Sequence, residues 1–302
     1  MGWLIGPGIF LLLVFVVINE TLFWVRWLAK GKGKVFLPSL EMLHPYNTKR
    51  AVLLLHEFSG LPLSLEELGK RLYEEGWDVY IPAMPETVAT KEYLGTLEVG
   101  PLYFLWYEEA EKSLQNLLGK YEKVAVGGAS IGGSIALHLA SLYAVRAVFA
   151  VAAPYGLLGW HYFRPFSRNL FLLLSGWIGL FCPWWEAKKV PPSSSIEKRY
   201  GIDGVIWARA IHTQRIGLRQ MRKRLAFVKA PCLLVQSNRD RTVNPSSIFH
   251  FMRALKGAHR EAIIFDMRWD KESRRHLLLN HEGVKERVME LIMGFLRRVD
   301  ND

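Results

Sequence analysis

Along most of the chain, short apolar runs alternate with segments whose apolar positions recur at helical spacing. Runs of about four to eight apolar residues bounded by turn residues are typical of strands buried on both faces. Strands and helices that alternate in this way predict a mostly parallel sheet covered by helices on both faces. The predicted strands are 51–55, 76–82, 124–126, 144–152, 232–236 and 262–265, and the predicted helices outside the insertion discussed below are 65–73, 102–118, 248–255 and 284–296.

The N-terminal pattern is different, because residues 3–18 are almost wholly apolar. Sixteen helical residues reach about 24 Å, short of a hydrocarbon core of about 30 Å, so the helix is expected to extend into its flanks. Trp24 and Trp27 would lie at the membrane interface. No basic residue precedes the run and no small-x-small cleavage site follows it, which favours an uncleaved anchor over a signal peptide. A helix tucked into the core is the third alternative.

The chain carries a net charge of +11, which suits either nucleic acid or an anionic membrane surface. No nucleic-acid-binding motif occurs, and the basic residues cluster beside apolar stretches, at Lys30, Lys32 and Lys34 and again at 215–224. We therefore expect anionic lipid as a partner and no nucleic acid. The lysines after the apolar run place the rest of the chain in the cytoplasm by the positive-inside tendency. The two cysteines indicate neither a disulfide framework nor a zinc site.

The alternating rhythm breaks between residues 155 and 230, where the sequence becomes strongly aromatic, notably at 160–163 and 170–185. This segment is predicted to be an insertion. It could form a second core, or it could be an apolar lid over an acyl pocket or a surface that dips into a membrane. Residues 191–195, which read PPSSS, are expected to form a loop.

The stretch with the strongest chemical signal is 123–139, which reads KVAVGGASIGGSIALHL. It predicts a strand, a tight turn and a helix, and the turn matches GxSxG with Ser130 at its centre. That context is typical of the nucleophile elbow, in which a sharp turn exposes a serine hydroxyl above the edge of the sheet. A helix that begins just after the serine also directs free backbone N–H groups to the place where an oxyanion would form. Ser130 is therefore the candidate nucleophile.

A serine hydroxyl needs a base to remove its proton, and the base needs a carboxylate to orient it. In proteins with this elbow the three groups follow in the order serine, acid, histidine. Asp240 follows the predicted strand 232–236, and His276 lies between the last predicted strand and the last helix. Asp266 and Asp270 compete for the role of acid. His281 competes as base, although we expect it at or inside the last helix, facing away.

Residues 53–60 (LLLHEFSG), 128–133, 231–245 and the region of His276 together resemble the α/β-hydrolase superfamily. The resemblance is closest to its bacterial carboxylesterases and monoacylglycerol lipases, and it spans about 51–299. It implies an α/β-hydrolase fold with a small cap.

We accordingly expect an α/β-hydrolase domain at 35–302, with the cap insertion at about 155–230. Residues 1–34 then form the N-terminal membrane anchor and a basic linker.

The resemblance also implies an oxyanion hole made of two backbone N–H groups, those of Phe58 and Ile131. Two positions depart from the family pattern. Glu57 stands where glycine is usual, and the glycine-histidine-glycine segment that often follows the second strand is absent from 84–90. Because an inward carboxylate would oppose developing negative charge, we expect Glu57 to point to solvent.

The function expected from these residues is a membrane-associated serine hydrolase that cleaves carboxylic esters through an acyl-enzyme on Ser130. Acyl esters such as monoacylglycerol suit the apolar cap, and the reaction needs neither a metal nor an organic cofactor. A thioesterase or an acyltransferase would use the same residues. A catalytically silent hydrolase fold that serves as a binding module and a peptidase of the same fold are the remaining alternatives, although no amine-binding acidic pair stands out in the cap.

Overall fold

The computed structural model describes residues 5–31, 35–58, 60–85, 87–89, 94–96, 102–157, 167–183, 185–187, 206–257, 259–271 and 273–301. The helices of this described part are α1 (Ile5–Gly31), α2 (Glu66–Glu74), α3 (Tyr103–Leu118), α4 (Ile131–Ala140), α5 (Ser167–Phe181), α6 (Ala208–Arg224), α7 (Ser247–Ala254) and α8 (Lys285–Asn301). Its strands are β1 (Val35–Phe36), β2 (Leu40–Met42), β3 (Arg50–Leu55), β4 (Asp78–Ile81), β5 (Thr87–Ala89), β6 (Leu94–Thr96), β7 (Lys123–Ala129), β8 (Ala147–Val151), β9 (Glu186–Ala187), β10 (Ile206–Trp207), β11 (Cys232–Ser237) and β12 (Arg260–Phe265).

The central sheet has seven strands in the order β12-β11-β8-β7-β3-β4-β2. Neighbouring strands from β12 to β4 run parallel, and β2 pairs with β4 in antiparallel orientation at one edge. The inner strands β8 and β11 are buried at every position, as expected for apolar runs covered on both faces. The predicted mostly parallel sheet is confirmed. The edge strand β2 was not predicted, because three residues are too short to show a period.

Two apolar layers cover the sheet, one on each face. Buried residues of α3, α4, α6 and α7 form the first layer, and those of α2 and α8 form the second. Each layer takes alternate residues of the same strands: in β3, Leu53 and Leu55 face the first layer, and Val52 and Leu54 face the second. The centre of the sheet, where the catalytic candidates are attached, is therefore covered on both faces.

Helix α1 is longer than the apolar run from which it was predicted. It continues without a break through Asn19 and Glu20, and its 27 residues reach about 40 Å. Asn19 is buried, and its amide donates to the carbonyl oxygen of Phe15 one turn earlier in the same helix. The helix therefore satisfies this polar side chain without an interruption. By length and composition, Pro7–Ala29 could cross a membrane, with a mean hydropathy of 2.2 and little of its surface buried.

The C-terminal half of α1 contacts the cap. Phe23 is fully buried and meets Trp207 edge to face, with ring centroids 5.7 Å apart. Glu20 forms an ion pair with Arg209, whose guanidinium also lies over the ring of Phe23. The boundary between the expected anchor (1–34) and the expected domain (35–302) adjoins residues 32–34, which lie outside the described residues, and it stays a prediction.

The insertion between β8 and β11 contains two helices, α5 and α6, and the short antiparallel pair β9–β10. Helix α6 packs against α3 and α4 of the main domain, and α5 packs on α6. In the described part of the insertion, α6 therefore joins the layer on one sheet face and carries α5, and the role of the insertion as a cap stays a prediction. The predicted loop at 191–195 lies outside the described residues.

Candidate active site

The elbow forms where β7 ends and α4 begins. Ser130 has φ 52° and ψ −123°, a strained conformation for a residue with a side chain. The turn lies directly on the carboxyl end of β3: a Cβ at Gly128 would come within 2.4 Å of the carbonyl oxygen of Leu55, and one at Gly132 within 2.2 Å. Glycine at both positions is therefore required by this close approach. The geometry agrees with the turn expected from GxSxG.

Ser130, His276 and Asp240 lie in one hydrogen-bonded line. The Nδ1 of His276 is 2.7 Å from Oδ2 of Asp240, and its Nε2 is 2.9 Å from the Oγ of Ser130. Because a carboxylate accepts, Nδ1 carries the proton and Nε2 is left to accept from the serine hydroxyl. All three side chains are at most 7% exposed. They are attached to the carboxyl ends of parallel strands, where ligands of such sheets bind.

The carboxylate of Asp240 is held in place by its own loop. Its Oδ1 accepts from the backbone N–H groups of Thr242 and Val243, at 2.7 and 2.8 Å. The other oxygen is thus directed at the imidazole of His276. A carboxylate held in this way is positioned to stabilise an imidazolium at His276.

The competing acid Asp266 is exposed and turned to other partners. It accepts from Arg268 and from the amide of Asn238. These hydrogen bonds hold the pKa of Asp266 at about 2. The Asp266 side chain is therefore part of the loop surface and is not directed at His276.

Asp270 and His281 pair with each other instead of joining Ser130. The Nε2 of His281 is 3.0 Å from Oδ2 of Asp270, which also contacts the hydroxyl of Ser273. His281 lies in the turn before α8 and not inside the helix, and it is buried. The pair therefore connects the two ends of the loop that carries His276. The spacing of these residues gave no sign of that contact.

The two candidate oxyanion donors follow neighbouring strands. Phe58 lies just beyond β3, Ile131 is the first residue of α4, and the register pairs Leu55 of β3 with Gly128 of β7. The resemblance assigns a backbone N–H of each to the oxyanion hole. The assignment stays a prediction, and the placement of the two segments side by side is compatible with it.

The expectation that Glu57 points to solvent is wrong, since its side chain is 2% exposed. It turns inward over Gly60, where the absence of a side chain leaves room: a Cβ there would lie 2.6 Å from Cδ of Glu57. Its Oε2 is 3.0 Å from the hydroxyl of Ser64. Burial raises the pKa of this carboxyl above its usual range. The orientation of Glu57 was predicted wrongly because the carboxyl was assumed to be ionised and therefore to need solvent.

His56, which precedes Glu57, is a fully buried neutral imidazole. Burial lowers its pKa to about 4. Its Nε2 is 3.5 Å from the backbone nitrogen of Met84, and its ring meets Trp106 edge to face. It therefore supports the base of the loop at 56–58.

No group of three or more His, Cys, Asp or Glu side chains placed to hold a metal occurs among the described residues.

A strained serine between a buried strand and a helix, with a histidine and an acid in this order and geometry, defines the α/β-hydrolase class. The family model described as serine aminopeptidase, S33 (Hydrolase_4) matches residues 108–269. The match covers more than half of the 302 residues, so the chain belongs to this family of serine hydrolases.

Solved structures with the same fold include several enzymes that act on lipids. One is that of LipS or LipT, two metagenome-derived lipolytic enzymes, with a TM-score of 0.68 and 18% identity over 87% of this chain and 99% of the other. The monoacylglycerol lipase of Paleococcus ferrophilus has a TM-score of 0.66 and 18% identity over 87% and 98%. A membrane phospholipase A, described as a bacterial virulence factor, has a TM-score of 0.55 and 16% identity over 99% of each chain. At these identities the likeness shows the fold.

Proposed function

We propose that the protein is a membrane-anchored esterase that cleaves acyl esters such as monoacylglycerols, with Ser130 as nucleophile. The observation that carries the proposal is the line of hydrogen bonds from Ser130 through His276 to Asp240. Its buried carboxylate, its imidazole whose Nε2 accepts from the serine hydroxyl and its strained serine match the requirements of covalent acyl transfer.

In the proposed reaction, Oγ of Ser130 attacks the ester carbonyl while Nε2 of His276 takes the hydroxyl proton. Asp240 stabilises the imidazolium, and the N–H groups of Phe58 and Ile131 donate to the oxyanion. The imidazolium then protonates the leaving alcohol, and the acyl-enzyme remains. A water molecule, deprotonated by the same imidazole, releases the fatty acid and restores the serine.

The membrane part of the proposal rests on the exposed apolar residues of α1 and on exposed aromatic residues of the cap. The exposed N-terminal half of α1 reaches α5, where Phe15 and Phe181 lie with ring centroids 5.9 Å apart. On the cap side of that contact, Trp177 and Trp185 are more than half exposed. A surface of this kind suits lipid hydrocarbon and the interface above it. The substrate would enter from the lipid side, and Lys30, Lys32 and Lys34, at the end of α1 and just after it, would orient the domain to the cytoplasm.

An activity-based label tests the enzymatic part. A fluorophosphonate should modify the wild-type protein and not Ser130→Ala, and the variant should lose ester hydrolysis by about four to six orders of magnitude with an unchanged thermal melt. Labelling that persists in Ser130→Ala would place the nucleophile elsewhere. A wild-type protein that is neither labelled nor active would identify a silent binding module.

The family description makes a peptidase the second candidate. Side-by-side assays on monoacylglycerols, acyl thioesters and aminoacyl nitroanilides separate the possibilities. We expect kcat/KM to be highest for the oxygen esters. A preference for the nitroanilide would assign a peptidase on the same three residues, and a preference for the thioester would assign a thioesterase.

A further inference from the structure

Glu57 lies between His56 and the candidate oxyanion donor Phe58, and it is almost fully buried. One of its oxygens, Oε2, contacts the hydroxyl of Ser64, while Oε1 has no hydrogen-bond partner in the described structure. Serine esterase chemistry does not require a carboxyl here, since the family pattern has glycine. The side chain is therefore a feature of this chain that the proposed mechanism does not use.

The hydrogen bonds of Ser64 indicate where a proton lies. Its Oγ is 2.7 Å from the carbonyl oxygen of Leu61 and 3.0 Å from Oε2 of Glu57. A carbonyl only accepts, and a serine hydroxyl has a single proton to donate. Both contacts are full two-centre hydrogen bonds when the carboxyl is protonated and donates to Oγ; otherwise the single hydroxyl proton has to be shared between two acceptors. An ionised carboxylate would compete with Leu61 for that proton.

We propose that Glu57 is a neutral carboxylic acid that positions the loop at 56–58, which carries the candidate oxyanion donor Phe58. We further propose that ionisation of Glu57 at alkaline pH suppresses ester hydrolysis. The proposal rests on the proposed function. In the neutral form, Glu57 ties the segment that carries the Phe58 N–H to the turn at Pro62–Leu65 through Ser64. Glu57 is a positioning residue, because it acts through the backbone of its neighbour and not on the substrate.

The surroundings support a carboxyl that keeps its proton. Burial is the main cause that raises the pKa of Glu57, and it outweighs its hydrogen bonds and the positive charge of His276 when that ring is protonated. His276, which faces it from the loop before α8, and the adjacent His56 are the titratable groups near it among the described residues, and His56 is neutral at working pH. The amide of Asn280 donates to the carbonyl oxygen of Ser64 at 2.8 Å. This hydrogen bond connects the turn at Pro62–Leu65 to the loop before α8 that carries His276.

Ionisation would have two effects on catalysis. Loss of the carboxyl proton to solvent would place a negative charge beside the site of the oxyanion, where it opposes the charge that develops in the transition state. The hydroxyl of Ser64 would also have to turn from Leu61 to the carboxylate, which loosens the turn. Both effects lower kcat more than they raise KM, because they act on the transition state and not on substrate binding.

Glu57→Gln is the matched test, since its amide nitrogen can donate to Oγ of Ser64 as the protonated acid does and cannot ionise. We expect wild-type kcat to fall about tenfold or more on the alkaline side of a profile measured over about pH 6 to 10, while kcat of Glu57→Gln stays level there. Glu66→Gln, the same change at a less buried position paired with Lys70, serves as control and should follow the wild-type profile. Superimposable profiles for wild type and Glu57→Gln would overturn the proposal.

A second readout does not depend on activity. Because the pKa of Glu57 is higher in the folded than in the unfolded state, the native protein binds an extra proton between the two values. The contribution of Glu57 to the free energy of unfolding is therefore highest below the ordinary glutamate pKa and falls as pH rises towards the raised value. Glu57→Gln should remove this loss, and an infrared band of a buried protonated carboxyl, present in the wild type, should be absent from the variant. A wild-type spectrum without that band would refute the neutral carboxyl even if fluorophosphonate labels Ser130. Presence of the band in an unlabelled protein would instead refute the esterase.

Discussion

The hydrogen bonds around His276 distinguish residues that composition and spacing treat alike. Asp240, Asp266 and Asp270 all follow late strands, yet only Asp240 among these three combines burial with a direct contact to Nδ1 of His276. Asp266 is neutralised at the surface by Arg268, and Asp270 is occupied by His281. The role of each carboxylate is thus decided by the partners that the loop supplies.

Asp240→Asn should lower kcat by about four orders of magnitude, because the carboxylate sets the tautomer of His276 and stabilises the imidazolium. His276→Ala should be at least as damaging. Esterase kinetics with a soluble short-chain ester measure both. Asp266→Asn is the matched control and should change kcat little, since its carboxylate is exposed. If the Asp266 variant loses activity while the Asp240 variant keeps it, the assignment of the acid is wrong.

At the scale of elements, the elbow depends on how closely α4 approaches β3. The backbone of the turn touches the carbonyl oxygen of Leu55, so the helix begins almost in contact with the neighbouring strand. This approach also brings the N-terminus of α4 next to the loop after β3. The strand–turn–helix unit and the loop at 56–58 are therefore positioned by one contact.

Gly132→Ala tests that contact. The added methyl group would lie 2.2 Å from the carbonyl oxygen of Leu55, and backbone atoms cannot yield as a flexible side chain does. We expect a loss of stability of about 1–3 kcal/mol or more and a large loss of kcat, measured by denaturant unfolding and ester hydrolysis. Gly119→Ala, where the nearest atom is 3.5 Å away, should be tolerated. An active, stable Gly132→Ala protein would contradict the described elbow.

At the scale of the whole molecule, α1 combines two roles along one helix. Its first half is exposed and apolar, and its second half packs on the cap through Phe23 and the Glu20–Arg209 pair. An anchor attached in this way would hold the cap at a set orientation to the membrane. It would not act as a loose tether.

Removal of residues 2–17 should release the protein from membranes while it retains hydrolysis of a soluble short-chain ester, because the packed half of α1 stays in place. Flotation with anionic vesicles measures binding. The remaining basic residues near the surface should contribute about 1 kcal/mol each, a term that salt weakens. Phe23→Ala in the full-length chain is the counterpart: it should lower stability and leave membrane binding intact. Full membrane binding of the truncated form in high salt would make the cap surface around Trp177 the anchor.

The sequence by itself determined the sheet and the order of its chemistry. Buried strands are recognisable from uninterrupted apolar runs, and a serine between glycines at a strand–helix junction has few structural alternatives. Asp240 and His276 could be selected as candidates because both follow late strands in the expected chain order. These are local signals, which a single segment carries in full.

Side-chain contacts within loops and between distant segments were decided only by the tertiary structure. The inward turn of Glu57 depends on the space above Gly60 and on Ser64, and the pairing of Asp270 with His281 depends on a loop conformation with no period to detect. The ion pair of Glu20 in α1 likewise joins it to Arg209, almost two hundred residues away. The free energy of burying a polar group depends on the hydrogen-bond partners that it meets in the fold. The sequence read in order does not show which residues those partners are.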